Sequence, residues 1–143
     1  MTKLLQPFQI GHYNASEKDD CTVRALANCK GITYAEAHAI CSMYGRDREQ
    51  AMCVSLFARA CKSQGLQVHA YGQSADSLEL VWHCEAEHIN EKRLNVSDAC
   101  KLYANHVCIA LIRGHVFAIR YGKIVDTFAI YGGTEVQAVF CMM

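Results

Sequence analysis

Along this chain the spacing of apolar residues changes once, being helical before about residue 66 and strand-like after about residue 106. A chain that begins with amphipathic helices and ends with paired strands buries both by laying the helices on the sheet, so the expected class is α+β. The chain has 143 residues and carries no internal repeat, low-complexity tract or Pro/Gly/Ser linker. Residues 1–143 are therefore expected to form one domain around one core.

Three short helices are expected in the first half. One starts after Asp19-Asp20, with either carboxylate placed to cap its first turn, runs through Cys21, Val23, Leu26 and Ala27, and stops at Gly31. The next opens on the capping box Thr33-Tyr34-Ala35-Glu36 and stops at Gly45. The third covers about residues 48–64, with Met52, Leu56, Phe57 and Ala60 at helical spacing and Gly65 as terminator. Leu66 to Tyr71 alternates like a strand, Ser77 to Cys84 fits strand or helix, and Ser97 to Ala104 reads as a short capped helix. Val107 to Arg113, His115 to Tyr121 and Ile124 to Phe128 read as strands broken at Gly114 and Gly122-Lys123, with Glu135 to Cys141 as a further strand. The apolar Phe140 to Met143 either packs into the body or meets a second copy in a homodimer.

Composition removes several function classes. Lys plus Arg and Asp plus Glu number 14 each, so no net field attracts nucleic acid or an anionic membrane. Apolar runs such as Val107 to Ile112 are far shorter than the roughly 20 residues of a membrane span. The nine cysteines are odd in number, follow no secretory signal, and stand at gaps of 8 or more, with no C-x-x-C. That pattern points to a reducing, cytoplasmic setting and gives no signal for a metal site or other cofactor. It also counts against a dithiol redox protein.

The chemistry-bearing residues are Cys21, His115 and Asp126. A thiol in the first turn of a helix feels the positive end of the helix dipole, which favours the thiolate. His115 begins a strand from which its ring can serve as base, and Asp126, across the hairpin turn, is expected nearly opposite it, where a carboxylate would fix the imidazole tautomer.

Asp19-Asp20-Cys21-Thr22-Val23-Arg24-Ala25-Leu26-Ala27, the Gly31 to His38 helix start, Gly114-His115-Val116-Phe117-Ala118-Ile119 and Gly122-Lys123-Ile124-Val125-Asp126-Thr127 stand in an order that resembles the papain-like cysteine peptidases, and more narrowly the small C39-like proteins of bacteriophages. The resemblance implies a cysteine on the central helix, a histidine and an acid on the sheet, and a Cys21-His115-Asp126 triad that cleaves a peptide or isopeptide bond of a protein or peptide substrate. Papain-like enzymes place a Gln shortly before the nucleophile; here Gln9 is distant and Asn14 is the nearer amide, so Asn14 with the Cys21 amide is the expected oxyanion pair. A deamidase or acyltransferase would use the same residues. The alternative is an inert papain-like scaffold that binds and inhibits a host defence protein, in the host cytoplasm if phage-encoded.

Overall fold

A computed structural model describes residues 4–11, 19–46, 52–71 and 94–142. The described elements, in chain order, are β1 (Leu4–Leu5), α1 (Cys21–Lys30), α2 (Tyr34–Met43), α3 (Val54–Ser63), β2 (Gln67–Tyr71), α4 (Val96–Leu102), β3 (Val107–Ile112), β4 (His115–Arg120), β5 (Lys123–Val125), β6 (Ile130–Tyr131) and β7 (Ala138–Cys141). The mixed, antiparallel architecture is α+β, as the change of period requires.

Five strands form one antiparallel sheet in the order β2-β7-β3-β4-β5, and β1 pairs with β6 in a separate two-stranded ladder. The sheet is covered on both faces. Val116 and Ala118 face α1, α2 and α3, where Leu26, Phe57 and Phe140 fill the core. Phe117 and Ile119, on the other face, pack with Ile112 and with Val96 and Ala99 of α4. Burial on two sides explains why β3 and β4 read as continuous apolar runs rather than alternating ones. Phe140 and Cys141 are fully buried in β7, whereas the next residue, Met142, is exposed.

Most helix boundaries follow local chemistry. Gly31 takes the left-handed conformation (φ 67°) that ends α1, and its N–H donates to the Ala27 carbonyl. The Thr33–Glu36 capping box is present in full at the start of α2. α4 begins at Val96, one residue before the expected start at Ser97, and Asn95 caps it by accepting from the Asp98 N–H at 2.8 Å. Two expectations shift. Among the described residues α3 begins at Val54, because Cys53 has extended backbone. The last strand begins at Ala138 rather than Glu135, which makes only an isolated bridge to Asn95. The segment Ser77 to Cys84 lies outside the described residues.

The β4–β5 hairpin turns one residue earlier than the Gly122-Lys123 pair suggests. Arg120 pairs with Lys123, leaving Tyr121 and Gly122 as the two-residue loop, both at positive φ (52° and 79°). That is the handedness a tight hairpin needs. Gly122 is required there sterically as well, since a Cβ would stand 2.8 Å from the Cys100 carbonyl oxygen.

Candidate active site

Cys21 is the first residue of α1, and α1 lies across β3 and β4. The first helical bond is Arg24 N–H to the Asp20 carbonyl, 2.9 Å, so the amides of Cys21, Thr22 and Val23 precede it and point their dipoles toward the thiol end. The expectation that Asp20 caps this turn is corrected. Asp20 occupies the N-cap position but its side chain makes no cap bond, because its two oxygens are taken by Arg24 Nε at 2.9 Å and Tyr34 OH at 2.8 Å. Asp19, before it, has φ 50°, and its carbonyl accepts from Nη2 of the buried Arg46 at 3.3 Å.

The structure brings Cys21, His115 and Asp126 together. The Cys21 thiol lies beside the His115 ring and the Val116 N–H, both of which favour its thiolate. His115 Nε2 donates to Asp126 Oδ2 at 2.6 Å, which leaves Nδ1 for the thiol. Asp126 Oδ1 accepts from Arg24 Nη1 at 2.9 Å and from the Thr127 N–H at 2.7 Å, and the Asp126 side chain is only 2% exposed. The hairpin register departs from the expected pairing: Ala118 opposes Val125, so the ladder would place Asp126 across from Phe117, and His115 reaches it diagonally. β5 ends at Val125, and the Asp126 N–H is held instead by the Gln9 carbonyl at 3.1 Å. Gln9 is thus distant from the thiol in sequence while its main chain anchors the acid.

Electrostatics set this thiol apart. Burial pushes Cys21 up, but the hydrogen bond with His115, the Val116 N–H and the charges of His115 and Arg24 outweigh it and hold the thiol below its ordinary value. Burial, with a smaller contribution from Cys141, drives Cys29 up to about 12 against the charges of Arg120 and Lys30, and burial above all takes Cys41 to about 11. Cys100, Cys108 and Cys141 are also raised by burial. Burial lowers His115, yet the bonds to Asp126 and Cys21 and their charges raise it to about 9. For Asp126, burial raises the carboxyl, and the His115 bond and charge, the Thr127 N–H and Arg24 bring it below the usual carboxylate value. All three directions favour a thiolate beside an imidazolium, held by an ionised carboxylate.

Two aromatic rings contact the histidine, Phe117 at 5.9 Å and Phe128 at 4.9 Å between centroids. Asn14, the expected oxyanion donor, lies outside the described residues. Sequence reasoning missed Arg24, Tyr34 and Thr127. For Arg24 a signal existed, since Asp20 and Arg24 stand four apart and so share a helix face; the contacts of Tyr34 and Thr127 depend on tertiary structure. No cluster of three metal-ligating side chains occurs among the described residues, and none of their helices is long and apolar enough to cross a membrane. A cavity of about 530 Å³, lined in part by Leu5, Phe8, Cys100 and Lys123, does not include the triad. No family model, curated protein or solved structure compared with the chain matches it.

Proposed function

We propose that this chain is a papain-like cysteine hydrolase acting on a peptide or isopeptide bond of a protein or peptide substrate. The observation that carries the reading is the 2.6 Å His115–Asp126 bond beside Cys21, whose thiol, alone among the shifted cysteines of the described residues, is held below its ordinary value. A thiol at a helix N-terminus, packed against a sheet that supplies the base and the acid, supports the papain-like assignment.

In this reading the Cys21 thiolate attacks the amide carbonyl carbon, and the electron pair moves to the carbonyl oxygen beside the first-turn amides. Collapse of the tetrahedral intermediate breaks the C–N bond as the His115 imidazolium gives its proton to the departing amine, leaving a thioester on Cys21. His115 then takes a proton from water, the hydroxide adds to the thioester, and the carboxylic acid leaves as the thiolate returns. Asp126 keeps the ring proton on Nε2 throughout. An amine in place of water makes the same site an acyltransferase.

The test is the rate of Cys21 alkylation by iodoacetamide from pH 4 to 9, read by peptide mass spectrometry in wild type and His115→Ala, with the exposed Cys53 as reference. Cys21 should react fast below pH 7 in wild type, His115→Ala should abolish that reactivity, and buried Cys29 and Cys41 should stay unmodified. A Cys21 profile centred near an ordinary thiol value of about 8.5 in both proteins overturns the hydrolase reading. The binding scaffold would then take its place.

A further inference from the structure

The side chain that joins the two carboxylates of this site belongs to none of the three triad residues. Arg24 lies one turn along α1 from Cys21, with its side chain 12% exposed. Its Nε donates to Asp20 Oδ1 at 2.9 Å and its Nη1 to Asp126 Oδ1 at 2.9 Å, with Thr127 Oγ1 at 3.4 Å from the same nitrogen. Asp20 immediately precedes the thiol, and its second oxygen is held by Tyr34 from α2. One guanidinium thus ties the residue before the nucleophile to the residue that orients the base.

The charge balance shows why this matters. When Cys21 is a thiolate and His115 an imidazolium, Asp20, Cys21 and Asp126 are three anions against the two cations His115 and Arg24. Without Arg24 there would be three against one, with the carboxylate of the residue before the thiol left to Tyr34 alone. Uncompensated negative charge near a thiol opposes the thiolate, and the positive charge of Arg24 lowers Cys21. A lysine would cancel charge but, as a single point, could not span both carboxylates with separate N–H groups as the planar guanidinium does.

We infer that Arg24 is a positioning residue of the site, cancelling the Asp20 carboxylate beside the nucleophile and anchoring the Asp126 carboxylate behind the base. The inference rests on reading Cys21, His115 and Asp126 as a catalytic set. The bonds of Arg24 run to Asp20, Asp126 and Thr127 rather than to the sulfur or the ring; it acts through its two carboxylates and through its own charge, which lowers the thiol. An ordinary helical Asp–Arg pair would support α1 and leave the thiol unaffected. The two roles differ in the pH profile.

The experiment compares Cys21 alkylation against pH in wild type, Arg24→Gln, Arg24→Lys, Asp20→Asn and the Asp20→Asn/Arg24→Gln double variant. Arg24→Gln should move the thiol midpoint up by about one pH unit, Asp20→Asn should move it down, and the double variant should return toward wild type. Arg24→Lys should recover part of the loss. A midpoint in folded Arg24→Gln equal to that of wild type overturns the inference. Asp20→Asn keeps Arg24 and its bond to Asp126, so it reports even where Arg24→Gln does not fold, and an unmoved midpoint in Asp20→Asn overturns the inference too. The wild-type midpoint separately tests the hydrolase reading. An ordinary wild-type thiol sinks that reading, whereas the differences between variants judge Arg24.

Discussion

Replacing Asp126 with asparagine preserves the shape of the side chain and reverses its effect on His115. Three donors converge on this carboxylate: Arg24 Nη1 and the Thr127 N–H on Oδ1, and His115 Nε2 on Oδ2. An asparagine offers one oxygen and one NH2 group. The oxygen satisfies two donors on the Arg24 side and only one on the His115 side, so the NH2 group turns to His115. Nε2 must then accept, the ring proton moves to Nδ1, and the ring loses the lone pair that takes the thiol proton. The magnitude follows from the rise of His115 from 6.5 to about 9, which at 1.36 kcal/mol per tenfold is about 3.4 kcal/mol. Two partners, Asp126 and Cys21, produce that rise against burial. Assigning Asp126 between half and all of it gives about 1.7 to 3.4 kcal/mol, or a roughly 20- to 300-fold loss of the ion pair. The assay is the second-order rate of Cys21 alkylation at pH 6.5, with urea denaturation to establish folding. A folded Asp126→Asn protein reacting within about threefold of wild type would refute the tautomer argument and the role of this carboxylate.

Two further predictions concern stability. The raised His115 contributes stability that is full below pH 6.5 and lost as pH rises through about 9, whereas the lowered Cys21 contributes stability present above 9.0 and lost as pH falls through its folded value. These trends oppose each other, so wild-type stability should fall less between pH 6.5 and 9 than that of a protein lacking the thiol. Cys21→Ser should fall with rising pH across a window ending below 9; parallel urea curves for the two proteins would refute the pairing. Gly122→Ala should destabilise by about 2 kcal/mol or more, combining the left-handed backbone cost of roughly 1–2 kcal/mol with a Cβ 2.8 Å from the Cys100 carbonyl. A loss under about 0.5 kcal/mol in urea denaturation would contradict the close approach of α4 to the hairpin.

What the sequence made legible was mainly local. Gly31, the Thr33–Glu36 box and the strand composition of residues 107–125 act on their own neighbours, and the structure obeys them. The candidate triad was legible because each member sits at an element boundary: Cys21 opens α1, His115 opens β4 and Asp126 follows β5. What failed depended on distant partners. Asp20 looks like a cap until Arg24 and Tyr34 compete for its oxygens. The diagonal His115–Asp126 contact depends on a hairpin loop that uses Tyr121 at positive φ, a conformation that composition does not advertise for tyrosine. The double coverage of the sheet was hidden because α4 follows β2 and packs on the face opposite α1.

The position of β7 between β2 and β3 bears on how the molecule is assembled. Helices α1 to α3 and the β3–β4–β5 meander rest on short-range contacts, but β2 cannot join the sheet until β7 has taken its place beside β3. Such non-local pairing is slow relative to helix and hairpin formation. The base and the acid, 11 residues apart, can meet within their own hairpin, while the sulfur, 94 residues before His115, meets the ring only when α1 docks on β4. Thiol acidity is therefore acquired at the docking step, and in a refolding experiment the alkylation rate of Cys21 would serve as a clock for the joining of the two halves.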